Sequence, residues 1–257
     1  MSKVVVVRGE DPEKMVKRGL DYLEVEPDED KIVIKPNLID NRPYPVTTSA
    51  ETVEAIVKYF KKFGKEIIIA EGSGWCNTFR AYEGLGYLTL REKYDLKLVD
   101  LNRDEFLVKK NPNAIVLKKF EFPLTLEGSY LISAAVLKIH SFTGVTLSMK
   151  NMLGASIGSD KGRFHRFGIN ESIVDINTYK LPNLAIVDGR MGNIDGELGG
   201  RVKKFGLMIF SKDPVAADAI GADILGKDPL SIKYLKTADQ RGLGTANLDN
   251  IERIDLA

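Results

Sequence analysis

Short apolar runs and amphipathic stretches take turns along this chain. Lys3–Val7 is an apolar run of strand length, and Asp11-Pro12 follows it with a capping side chain and a proline suited to a first helical turn. Met15, Val16, Leu20 and Leu23 give that helix a buried side. Lys31–Lys35 reads as a second strand, closed by Pro36-Asn37-Leu38. Ser49 caps a helix whose stripe is Val53, Ile56, Val57, Phe60 and Phe63; Gly64 stops it, and Lys65–Ala70 is a third strand. Further strands are expected at Leu96–Leu101, Tyr130–Leu137, Leu184–Val187, Phe205–Phe210 and Asp249–Leu256. Helices are expected at Ile169–Tyr179, with Asn170 as a cap, and after Asp213-Pro214 and Asp228-Pro229. Asn111–Phe122 reads as a peripheral β region. Regular alternation of strand and helix predicts an α/β fold with a mainly parallel sheet, helices on both faces and a small peripheral β region. A single domain over residues 1–257 fits, as do two lobes split near residue 105.

The stretch from Ser133 to Arg166 holds both histidines of the protein. Its strand delivers Lys138-Ile139-His140 at the carboxyl end, where α/β proteins usually build sites. Thr143-Gly144 then reads as the opening of a helix, with Val145, Met149, Met152 and Leu153 as its core stripe. On another face of that helix Thr143, Thr146 and Lys150 would stand together. Ile39–Ser49, with Pro43 and Pro45, cannot be helix or central strand. Glu71-Gly72-Ser73-Gly74 is a glycine-rich turn between a strand and a helix near Thr78, a setting that suits an anion. It lacks the glycine spacing of the phosphate-binding motifs proper. Arg190–Arg201 carries four glycines and reads as a hairpin tip or mobile loop.

Composition narrows the classes of function. A net charge of +1 leaves no electrostatic footprint for nucleic acid. The longest apolar runs are strand length, so no membrane span is expected. Cys76 is the single cysteine, which excludes an internal disulfide and an iron–sulfur cluster held by this chain alone. The first residues lead into a strand without a signal-peptide pattern, so the expected location is cytoplasmic. A homo-oligomer or a redox protein partner stays open.

Six segments, taken in order, resemble one family. They are Val33-Ile34-Lys35-Pro36-Asn37-Leu38, Thr47-Thr48-Ser49, Lys138-Ile139-His140-Ser141, Met149-Lys150-Asn151-Met152-Leu153-Gly154, Val187-Asp188-Gly189 and Asp213-Pro214-Val215-Ala216-Ala217-Asp218. The family is known as domain of unknown function 362, and the resemblance covers about the whole chain. It implies a fold and not a reaction. The chain is more distantly similar to lactate racemase and its relatives, which bind a nickel-pincer nucleotide joined to a lysine. That similarity rests on Arg42-Pro43-Tyr44-Pro45, on His140 ten residues before Lys150, and on His165 fifteen residues after it. It implies His140 as acid/base, Lys150 as the cofactor lysine and His165 as a metal ligand. Leu147-Ser148 stands where that family has Gly-Gly, and Ser73-Gly74 where it has Thr-His. A flat nucleotide needs the close backbone approach that glycine permits. The expectation is therefore no permanent adduct on Lys150 and no racemisation.

The candidate catalytic pair is His140 and Lys150. A strand-end histidine suits proton transfer; its ordinary alternative is a hydrogen bond to nearby backbone. Lys150 could hold a phosphate or carboxylate, or form an imine; its ordinary alternative is a solvated helix lysine. Candidate ligand-binding residues are Lys35, Asn37, Thr48, Ser73, Gly74, Lys138, Thr143, Asn151 and Asp188. Asp188 could orient a ribose hydroxyl or serve as a turn residue. His165 is the candidate metal ligand, although metal sites normally gather several ligands. The functional expectation is an enzyme that binds a small anionic metabolite or nucleotide-like cofactor in a cleft at strand carboxyl ends. Its loops would be 35–49, 71–78, 138–151, 160–166 and 188–201. The rivals are a non-catalytic ligand-binding or cofactor-carrier protein, and an accessory partner of an iron–sulfur redox protein.

Overall fold

Alternation within the apolar strands gives the sheet two buried faces. In the computed structural model, which describes residues 1–257, the first half of the chain contains β1 (Ser2–Arg8), α1 (Pro12–Tyr22), β2 (Lys31–Pro36), α2 (Ala50–Lys61), β3 (Glu66–Glu71), α3 (Thr78–Gly84), α4 (Tyr87–Tyr94), β4 (Lys97–Asp100), β5 (Phe106–Lys110) and β6 (Lys119–Pro123). There follow β7 (Ser129–His140), β8 (Gly144–Thr146), α5 (Ser148–Asn151), α6 (Arg163–Phe167), α7 (Ile169–Tyr179), β9 (Leu184–Asn193), β10 (Val202–Ser211), α8 (Pro214–Ile224), α9 (Lys233–Gln240) and β11 (Ile251–Leu256). The main sheet runs β11-β1-β10-β9-β7-β2-β3-β4, with β8 folded back on β7. Along this path only β10 opposes its neighbours; β1–β11, β9–β7, β7–β2, β2–β3 and β3–β4 are parallel. β5 and β6 form a separate antiparallel pair.

Val4, Val6, Val33, Ile68, Leu131 and Val187 face one core, shared with α7, α8 and α9. Val5, Val7, Ile32, Ile34, Ile69 and Ile186 face the other, shared with α1, α2, α3 and α4. Each fully buried Val or Ile contributes on the order of 1.5–3 kcal/mol, so this two-sided pattern is what holds helices on both faces. Helix starts are set locally. Asp11 accepts the N–H groups of Glu13 and Lys14, Ser49 that of Thr52, and Asp213 those of Val215 and Ala216. Asp228-Pro229 starts only a short 3-10 turn, and α9 begins at Lys233. Gly168, not Asn170, takes the cap position of α7.

No helix opens at Thr143. Residues 144–146 are β8, paired with β7 through Lys138 opposite Thr146 and His140 opposite Gly144. Gly144, at φ +76°, makes the turn that an L side chain would resist. Helical backbone begins at Ser148, because the Asp218 carboxylate accepts the N–H groups of Ser148 and Met149 at 2.8 and 3.0 Å. Thr143, Thr146 and Lys150 therefore do not share one helix face. Strand β9 likewise continues past Asp188-Gly189 to Asn193, sustained by its ladder with β10. No helix is long and apolar enough to cross a membrane.

Candidate functional site

Parallel strands β2, β3 and β7 end on the same side of the sheet, and their following loops enclose a cavity of about 300 Å³. Lys35, Asn37 and Ile39 border it from β2, Glu71, Gly74 and Trp75 from β3, and Thr146, Lys150, Asn151 and Gly154 from the segment after β7. Asp160, Lys161, His165 and Glu197 complete the wall. Each of the five expected loops contributes at least one of these residues.

The floor is a buried polar network. Lys35 Nζ donates to Glu71 Oε1 and to Asn151 Oδ1, both at 2.9 Å. Glu71 Oε2 accepts the Leu38 N–H at 2.8 Å, so the carboxylate ties the ends of β2 and β3 together. Asn151 Nδ2 donates to Lys35 O and to Ser133 Oγ, at 3.1 and 3.0 Å. Burial pushes the Lys35 amine down, against the pull of Glu71. Gly154 lies against this pair; a Cβ there would overlap Glu71 Oε1 and stand 2.8 Å from Lys35 Nζ. Behind Asn37, fully buried Lys138 donates to Asn37 Oδ1 at 3.0 Å and to Val46 O at 2.8 Å.

One wall is organised by Glu197, from the loop between β9 and β10. Its Oε1 is 3.0 Å from His140 Nε2, and its Oε2 accepts from Lys150 Nζ at 2.6 Å and Thr146 Oγ1 at 3.2 Å. Burial alone would raise the Glu197 carboxyl, but the His140 hydrogen bond and the Lys150 charge outweigh it and hold it well below the usual carboxylate range. His140 Nδ1 accepts the N–H groups of Phe142 and Thr143 at 3.0 and 3.2 Å. A ring nitrogen that accepts cannot carry the hydrogen, which assigns it to Nε2, facing Glu197. His165 stacks on His140 at 6.5 Å between ring centroids. Burial, then the Lys150 charge, pushes the His165 imidazole down. Asp218, held up to about 7 by burial, anchors the turn that carries Lys150.

Lys161 forms the opposite part of the wall. Its Nζ donates to Ser156 O at 2.7 Å and to Ser156 Oγ at 3.0 Å, and it has no carboxylate partner. Burial pushes its amine down to about 7.

The structure thus brings Lys35, Asn37, Gly74, Lys150, Asn151 and His165 to the cavity, with His140 joined to it through Glu197. Lys138 supports Asn37 from behind. Thr48 is buried, receiving the Asn37 N–H and donating to Ala134 O. Thr143 holds His140 through its N–H and donates its hydroxyl to Val145 O. Ser73 donates to Leu38 O. In the glycine turn, Glu71 Oε1 receives the Gly72 N–H, Thr78 Oγ1 that of Ser73, and Ile39 O those of Gly74 and Trp75. These amides are satisfied within the protein. Asp188 is held by Tyr44, Thr52 and Arg190, on the side of the sheet that faces α2. No group of three or more His, Cys, Asp or Glu side chains is arranged to hold a metal, so His165 has no set of fellow ligands. Burial pushes the Cys76 thiol up, away from the reactive thiolate. Glu71, Lys161 and Glu197 were not singled out by sequence. Glu71 alone carried a signal, a charge closing an apolar strand as Lys35 does.

The family described as Domain of unknown function (DUF362) matches residues 32–223. This chain belongs to that family. The domain of unknown function 362 match runs from β2 into α8 and contains every residue that borders the cavity. A thylakoid-associated protein of Synechocystis sp. is 27% identical over 226 residues, which is 83% of this chain and 68% of that protein.

Proposed function

We propose that this protein binds a small anionic metabolite in the cavity at the ends of β2, β3 and β7, and that His140 serves an acid/base step there. Lys161 is the observation that carries this reading. Three lysine amines line the cavity; Lys35 is paired with Glu71 and Lys150 with Glu197, while Lys161 has no carboxylate in contact and feels Glu71 only at a distance. A cation partly withdrawn from water without an ion-pair partner is stabilised by an anionic ligand, which also raises its pKa. Binding would then take up a proton near pH 8. Calorimetry with inorganic phosphate, in buffers of different ionisation enthalpy, measures that uptake. The expected result is uptake by the parent protein and loss of both binding and uptake in Lys161→Met. Equal phosphate affinity in parent and variant would overturn the reading.

In this reading His140 acts through Nε2, its Nδ1 being engaged by backbone. We favour no permanent adduct on Lys150 and no racemase-type cofactor, because its amine is already committed to Glu197. A cytoplasmic location belongs to the same reading, supported by one free cysteine and no disulfide. One observation favours a non-catalytic carrier instead: both nitrogens of His140 have partners inside the protein. Ligand binding without solvent-deuterium exchange into the ligand would select the carrier.

A further inference from the structure

The two sides of the Glu197 contact are built differently. His140 is held by the Phe142 and Thr143 N–H groups, Thr146 by the ladder between β8 and β7, and Lys150 by a turn that Asp218 anchors. None of these supports involves Glu197, so the His140 ring and the backbone that carries Thr146 and Lys150 are placed without it, while Lys150 Nζ and Thr146 Oγ1 take Glu197 as their partner. Glu197 itself comes from the loop 194–201, which contains Gly196, Gly199 and Gly200. Beyond Glu197, that loop is tied down by the Arg42 Nη1 bond to Leu198 O and, at its neck, by the contacts of Arg201 with Ile194 and Asp195. A glycine-rich loop thus places a carboxylate against donors carried by separately anchored backbone.

We propose that His140 Nε2, Thr146 Oγ1 and Lys150 Nζ form a carboxylate-binding subsite of the cavity, filled by Glu197 until a ligand carboxylate takes its place. This rests on the reading of the cavity as an anion site, takes the form in which His140 Nε2 holds the ligand rather than moving a proton, and narrows the ligand to a carboxylate. The stereochemistry carries the choice. One oxygen of a planar group faces His140 at 3.0 Å, and the other faces Lys150 and Thr146 at 2.6 and 3.2 Å. A ligand carboxylate can reproduce these contacts one for one. Charge-assisted hydrogen bonds of this kind are strong, so exchange requires an incoming group of the same charge.

Chemical rescue tests this on the whole protein. Glu197→Ala should melt lower than the parent, because Lys150 and His140 lose their partner. Acetate or formate should restore the lost stability, chloride at equal ionic strength should not, and the double variant Glu197→Ala/Lys150→Ala should not respond. Acetate affinity by calorimetry should rise by about tenfold or more in Glu197→Ala over the parent, a change of about 1.4 kcal/mol. Glu197→Ser, which also vacates the subsite, gives the same comparison should the alanine variant fail to fold. Equal acetate affinity in parent and variants, or equal rescue by chloride, overturns the subsite. If phosphate still binds the parent through Lys161 in that case, the cavity reading stands. An acetate response in Glu197→Ala, with no anion bound by the parent, would keep the subsite and overturn the cavity reading.

Discussion

Lys35 Nζ lies 2.9 Å from Glu71 Oε1 across adjacent parallel strands, and both side chains are buried. Removing one member of such a pair strands the other charge, which costs about 3–5 kcal/mol. Lys35→Met should lower the unfolding free energy by that amount in urea titrations. Lys35→Met combined with Glu71→Gln should cost less than the two single changes added, because no unpaired charge remains. An additive double variant would show that the two groups do not interact.

Lys138 should make stability depend on pH. Burial pushes its amine down from 10.5 to about 7, with Glu197 opposing and Lys150 adding to the effect. Between about pH 7 and 10.5 the unfolded chain therefore holds more protons than the native protein, and stability rises with pH across that window. Lys138→Met lacks the contribution. The stability difference, parent minus variant, should grow toward alkaline pH by at most about 1.4 kcal/mol per pH unit. A flat difference would mean that Lys138 titrates alike in both states.

His140 should carry its hydrogen at Nε2. With only His140 and His165 in the chain, long-range proton–nitrogen correlation spectra can be assigned with one variant, His165→Gln. The expected spectrum shows an unprotonated Nδ1 for His140. Nδ1 protonation would contradict the two backbone N–H groups at 3.0 and 3.2 Å.

Strand positions and helix caps were legible in the sequence because they depend on neighbours a few residues away. Val4 to Val7 alternate between two cores, and Asp11, Ser49 and Asp213 cap the turns that follow them. That 133–166 would border a cleft at strand carboxyl ends was legible for the same reason: a buried strand ended in charged and aromatic polar residues. The helix at Thr143 was misread because Val145, Met149 and Met152 are buried in either arrangement, and only pairing with β7 makes 144–146 a strand. The partners of Lys35 and Lys150 were beyond local reading. Glu71 is 36 residues from Lys35, and Glu197 is 47 from Lys150. Strand order places β3 beside β2 and the loop after β9 beside β8, so tertiary structure alone decided which charges meet. The same folding turned the amides of the glycine turn inward to Glu71, Thr78 and Ile39, and put Asp188 on the far side of the sheet. Hydrogen bonds act over about 3 Å in space, and chain separation sets no such distance until the sheet is assembled.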